Sequence, residues 1–296
     1  MPNEALRLIE EPQLREPTLI MSFAGWNDAA EAATGAVQYL VRKWAAVKFA
    51  EIDPEEFYDF TESRPHVRLA GGLHRQIDWP ANDFYYHRDG EHQRDFILMA
   101  GVEPQLRWRG FCGILLDIVQ RMNAGQVVLL GGLIADVPHT RPVRVSGSAN
   151  DDGLLRRLEA LQVHGSRYEG PTGIVGVFSD ALRRAGKPCA SLWATVPHYI
   201  STSNPRATQA LLTRLDALLD LQTAFGDLEE EAQDFDSQLA RAVERDPDVA
   251  AYVRQLEETE TAEEGGPERP ELPSGDVLVR ELEDFLRQSR GDSSGC

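Results

Sequence analysis

Four nearly uninterrupted apolar runs, alternating with stretches of helical spacing, leave this chain few architectures to choose from. Pro17–Phe23, Asp95–Gly101, Gln126–Gly132 and Cys189–Tyr199 read as buried strands. Val47–Asp53 alternates in character and adds another. Strands that are apolar on both faces belong inside a sheet covered by helices on both sides. The helices expected between them end near Trp44 and span about 103–123, 151–162, 170–186 and 204–225. In the second of these, Phe111, Ile114, Leu115, Ile118 and Met122 form one stripe at helical spacing. In the third, Leu154, Leu155, Leu158 and Leu161 form the expected buried side, and Asp151-Asp152 suits its start. Arg141–Ser148 reads as one more extended piece, with Ser146-Gly147-Ser148 on a turn. The predicted fold class is α/β: a mixed, mostly parallel sheet flanked by helices.

Residues 54–95 break the rhythm. They hold seven aromatics, Gly71-Gly72 and three prolines. His66–Trp79 reads as a hairpin hinged on the glycine pair. So many aromatics in a connection predict a β-layer that packs on something.

Charge divides the chain. Residues 227–296 carry 21 Asp and Glu against 7 Lys and Arg, whereas the remainder carries 27 against 23. The expected organisation is a core domain over 1–225 and an acidic helical extension over 226–296. Two short helices are expected there, broken near Asp246-Pro247. A disordered linker is expected near 260–275, rich in Glu, Pro and Gly. Leu278, Leu282 and Phe285 then share one face of a last amphipathic helix. The apolar faces of these helices need cover, from their own core or from another chain.

Composition excludes several functions. The chain has a net charge of −18 and lacks a basic footprint, so nucleic acid is not an expected partner. No run approaches the roughly 18 apolar residues of a membrane span, and the N-terminus lacks the basic start and apolar core of a signal peptide. A cytoplasmic location is expected. Cys112 and Cys189 lie in apolar patterns and read as small core residues; Cys296 ends a polar tail.

Chemical motifs are sparse. The phosphate loop, the nucleotide glycine fingerprint, the serine elbow and the HExxH zinc motif are all missing, and His87 and His92 flank Arg88-Asp89-Gly90-Glu91, which reads as a surface turn. No catalytic residue, metal ligand or cofactor is assigned, and the reading leans away from an enzyme. The candidates for ligand contact lie where α/β sheets gather function, at the carboxyl ends of strands. Asn27 and Asp28 sit at a strand-to-helix switch beside an exposed Trp26, and either one suits an N-cap. Gly131-Gly132 and His198 end two further strands. Thr172 and Gly173 open a helix whose free amides suit an anion, or else serve as an N-cap threonine and a packing glycine.

Several segments together resemble the proteasome assembly chaperone family, of the second-subunit type found in bacteria. They are Phe23–Ala33 (FAGWNDAAEAA), Phe57–Pro65, Trp79-Pro80, Leu129–Pro142 (LLGGLIADVPHTRP), Tyr168–Gly176 and Ser191–Ile200. Their order and spacing carry the likeness, over about 25–205. The resemblance implies a fold similar to purine nucleoside phosphorylases. It also implies self-association as a homo-oligomer, a trimer being one expected form, and proteasome subunits as partners. In the eukaryotic branch of the family, paired subunits assist the α-ring and dock through a hydrophobic–Tyr–any ending. This sequence ends Ser294-Gly295-Cys296 and lacks it. The function expected from the resemblance is a non-catalytic interaction or assembly factor. The alternative is a nucleoside- or phosphate-type enzyme or binder on the phosphorylase-like fold.

Overall fold

The computed structural model describes residues 5–71, 74–90, 94–166 and 168–263. The predicted last helix, most of the predicted linker and Cys296 lie outside the described residues. In chain order the elements are β1 (Leu6–Leu8), β2 (Thr18–Ala24), α1 (Ala32–Lys43), β3 (Val47–Ile52), β4 (His66–Ala70) and β5 (His74–Asp78). There follow β6 (Asn82–Arg88), β7 (Asp95–Val102), α2 (Trp108–Arg121), β8 (Gln126–Ala135), β9 (Val145–Ala149) and α3 (Asp152–Ala160). The chain continues through α4 (Ile174–Arg184), β10 (Cys189–Pro197), α5 (Pro205–Leu219), α6 (Gly226–Arg245) and α7 (Pro247–Glu263).

One eight-stranded sheet runs β1-β3-β6-β7-β2-β8-β10-β9, and β4-β5 form a separate ribbon. The centre, β7-β2-β8-β10, is parallel, and the flanking pairings are antiparallel. The apolar runs fill this centre. Leu19, Ile20, Met21, Ile97, Leu98, Val128 and Leu129 have no exposed surface. Helices cover both faces: α1 and α5 pack on one, α2 and α4 on the other.

Three local expectations need correction. Leu155 is 42% exposed, because α3 turns only Leu154 and Leu158 fully inward. The helix expected from 103 begins at Trp108, since Pro104 disfavours helix at the residue before it and Arg107 takes a left-handed turn. Ser146–Ser148 lie within β9 rather than on a turn, and the Ser148 hydroxyl is 3.0 Å from that of Ser191. Asp151 does cap α3, accepting from the amides of Gly153 and Leu154 at 2.8 and 3.0 Å. Cys112 and Cys189 are core residues, and burial pushes both thiols up to about 12.

The two helices after residue 225 have 20 and 17 residues and cover the chain's own core. Leu228, Phe235, Leu239, Val253 and Leu256 all join the cluster beneath α1 and α5. A polar clasp fastens the start of α6. Asp227 accepts from the Tyr39 hydroxyl and from Lys43, and these bonds hold its carboxyl down at about 2. A depressed carboxyl adds stability above its unfolded value and loses it as the pH falls through its folded value. Wild type is therefore expected to weaken more than Tyr39→Phe as the pH falls from about 4 to about 2. Acid titration of both proteins, followed by far-UV circular dichroism, checks this. No helix among the described residues is long and apolar enough to cross a membrane.

Candidate functional site

The parallel strands all point their carboxyl ends at one edge of the sheet, and two kinds of residue gather there. Beneath lies a buried polar hub, and above it stands an exposed apolar crest.

Asp28 leaves the β2 loop and turns back under α1. It accepts from the amides of Ala33 at 2.7 Å and Thr34 at 3.2 Å, and from the Thr34 hydroxyl. It thus serves the first turn of α1, although a short 3-10 turn stands between. Burial pushes its carboxyl up from the usual range, and the three donors oppose that rise. Asn27, 1% exposed, donates from Nδ2 to Glu103 Oε1 at 2.7 Å. The same oxygen accepts from the amide of Ile174 at 2.7 Å. Glu103 therefore places its own carboxylate at the N-terminus of α4, where the sequence suggested an anion site. Asn27 Oδ1 is buried and finds no partner.

The glycines make this closeness possible. The amide of Gly132 donates to the carbonyl of Asn27 at 2.8 Å, and a β-bridge joins Asp28 to Gly132. A Cβ on Gly132 would meet the backbone of Ala29 at 2.9 Å; one on Gly131 would overlap the Trp193 ring. On Gly173 it would overlap both Asn27 and Glu103. Gly173, not Thr172, is the N-cap residue of α4, and the Thr172 side chain is exposed over the first turn near Gly176.

His198 lies apart from this group. Its Nε2 is 3.1 Å from the Tyr252 hydroxyl, and its Nδ1 is 3.1 Å from Asp136. Tyr199 packs edge-on against His139, His198 and Tyr252. These rings fasten α7 to the end of β10. Thus the structure brings together Asn27, Asp28, Gly131, Gly132 and Gly173, and leaves His198 in a separate clasp. Among the described residues no three His, Cys, Asp or Glu side chains converge as metal ligands.

Sequence reasoning missed Glu103 and the crest. Among the described residues, twelve large apolar side chains are exposed. Nine belong to the carboxyl edge: Trp26, Leu106, Leu133, Ile134 and Tyr168 on its loops and strand ends, and Val67, Leu69, Ile77 and Trp79 on the β4–β5 ribbon. The ribbon joins this edge because it links the end of β3 to the start of β6, and Asn82 there binds the Val102 amide at 3.1 Å. Exposed apolar side chains gathered on one side of a fold are a common mark of a surface that meets a protein, a membrane or a ligand.

Against known proteins, the model of the PAC2 family matches residues 22–243. The chain belongs to the PAC2 family. Among solved structures, it is 44% identical to a PAC2 family protein from Streptomyces avermitilis, covering 80% of this chain and 99% of that one, at TM-score 0.72. It is 42% identical to a Mycobacterium tuberculosis proteasome-assembly chaperone homologue, with the same coverage and TM-score. An archaeal proteasome activator from Pyrococcus furiosus, 21% identical, shares the fold at TM-score 0.64 over 80% of this chain and 97% of its own. No curated protein matches. The PAC2 match ends within α6.

Proposed function

We propose that this PAC2 protein is a non-catalytic assembly factor of the cytoplasm that holds protein subunits, those of a proteasome among them, on its carboxyl-edge crest. The observation that carries this is the gathering on one edge of nine of the twelve large apolar residues that are exposed among the described residues. Glu103 seated at the N-terminus of α4 speaks against a phosphate or nucleoside site there. The relatives described as a proteasome-assembly chaperone homologue and a proteasome activator suggest which subunits to look for.

The test is affinity capture from native extract, followed by mass spectrometry for proteasome α and β subunits. Trp26 and Ile134 are 63% and 68% exposed, so Trp26→Ser with Ile134→Ser should leave the fold intact. The wild-type protein is expected to recover those subunits, and the double variant to recover at least tenfold less. Equal recovery by both would remove the crest from the contact. Recovery of none by the wild type would remove proteasome subunits as partners.

A further inference from the structure

The sequence at 277–288 carries an apolar face for which the α1–α5 side of the core has no place left. At about 100° per residue in a helix, Leu278, Val279, Leu282, Phe285 and Leu286 fall within one arc of about 120°. Arg280, Glu281, Glu283, Asp284 and Arg287 fall outside it. An isolated helix of this length is marginal in water, so it needs a surface to form against. The outer sides of α1 and α5 are already covered by Leu228, Phe235, Leu239, Val253 and Leu256 of α6 and α7. Among the described residues, the exposed large apolar side chains off the crest are Ile9 and Val47, at the opposite edge of the sheet, and Leu155 on α3. The crest is the surface that matches the arc.

The chain leaves α7 beside that crest. The His198 amide donates at 3.1 Å to the carbonyl of Ala135, the residue after Ile134, and the His198 ring meets the Tyr252 hydroxyl of α7. Further along α7, Glu257 accepts from Thr140 in the loop that leaves β8. The helix ends at Glu263, about 9 Å beyond Glu257. Residues 264–276 can span up to about 45 Å when extended. Neighbouring strands are about 4.8 Å apart, so Leu278 can reach any part of this edge. Trp26, Leu133, Ile134 and Tyr168 stand together on it. The bridge from Asp28 to Gly132 sets Trp26 by Leu133, and Gly173 packs on Asn27, which brings the loop at 168–173 to the same place.

We infer that residues 277–288 lie across Trp26, Leu133, Ile134 and Tyr168 of their own chain and shield the crest until a subunit displaces them. The tether holds the segment near the crest at an effective concentration in about the millimolar range. A weak contact therefore suffices to keep the crest covered, and a subunit that buries more apolar area still displaces it. The charged side of the segment faces water meanwhile, so the shielded protein presents less apolar surface to other chains. The displacement step rests on the assembly-factor reading. The seat itself rests on the place where α7 ends and on the apolar arc.

Hydrogen–deuterium exchange on the full chain tests the seat, with circular dichroism melts confirming that each variant folds. Amides of 279–288 are expected to exchange at least tenfold more slowly in wild type than in the Trp26→Ser, Ile134→Ser double variant, whose tail is unaltered. The slowing should persist after tenfold dilution. Equal exchange in the two proteins would overturn the seat, and slowing that fades on dilution would overturn it in favour of contact with a second copy. Leu282→Asp with Phe285→Asp removes the apolar arc and leaves the crest whole, so subunit capture from native extract should rise at least threefold. Unchanged capture would overturn the shielding. If neither wild type nor this variant captured proteasome subunits while exchange stayed slow, the assembly reading would fall and the seat would stand. If capture depended on Trp26 and Ile134 while exchange did not, the seat would fall and the assembly reading would stand.

Discussion

Asp28→Ala is expected to lower unfolding free energy by about 2–4 kcal/mol, because it removes a helix cap and strands buried donors. The Ala33 and Thr34 amides and the Thr34 hydroxyl all end on this carboxylate, at a residue only 8% exposed. Urea titration should show an earlier midpoint at an unchanged slope. Asp28→Asn should rescue only part of the loss, since its amide nitrogen turns a donor toward a donor. The pH dependence follows from the raised carboxyl. Folding holds this proton more tightly than the unfolded chain does, above the ordinary 3.8. That contribution is full below the unfolded value and is lost as the pH rises through the folded one. The gap between wild type and Asp28→Ala should therefore be widest in acid and shrink as pH rises. A gap that widened with pH would mean that the three donors outweigh burial.

What the sequence made legible was whatever depends on near neighbours. The central strands announced themselves because Leu19–Met21 and Val127–Leu130 are unbroken apolar runs, with Thr18 and Ser22 the buried polar residues of β2. Asp151 was readable as a cap because its donors lie two and three residues on. β6 was hidden because its strand alternates with Asp83 and His87 inside an aromatic stretch that reads as a connection. The apolar residues after 225 were visibly in need of cover. That Leu228, Phe235 and Leu256 find it on the core under α1 and α5 depends on contacts far along the chain. The ends of strands were the right place to look for function, and Trp26 was recognisable there. The strand carrying Leu133 and Ile134 runs past the Gly131-Gly132 pair at which its apolar pattern ends in the sequence reading. Their exposure is a property of the assembled edge and of no local pattern.

Glu103 is the clearest case of a residue whose role lies in distance, and Glu103→Ala is expected to show it. Nothing around Glu103 in sequence marks it, yet one oxygen joins Asn27, 76 residues away, to the Ile174 amide, 71 residues away. Alanine there would leave the Asn27 side chain with both polar atoms unpaired and the α4 N-terminus without its carboxylate. Two buried donors lost at about 1–3 kcal/mol each, not fully additive, give an expected cost of about 2–4 kcal/mol. Glu103→Gln separates hydrogen bonding from charge. Its oxygen can still accept from both donors, so it should lose only the dipole's share, about 0.3–1 kcal/mol. Equal losses for alanine and glutamine would show that the charge matters more than the two bonds. The hub also positions Trp26, because Asn27 follows it directly. Glu103→Ala should therefore reduce subunit capture in step with Trp26→Ser and Ile134→Ser at temperatures where the variant remains folded. Intact capture would show that the crest holds its shape without the hub. That outcome would separate the two layers of this edge: the polar one would serve stability alone, and the apolar one would bind without its support.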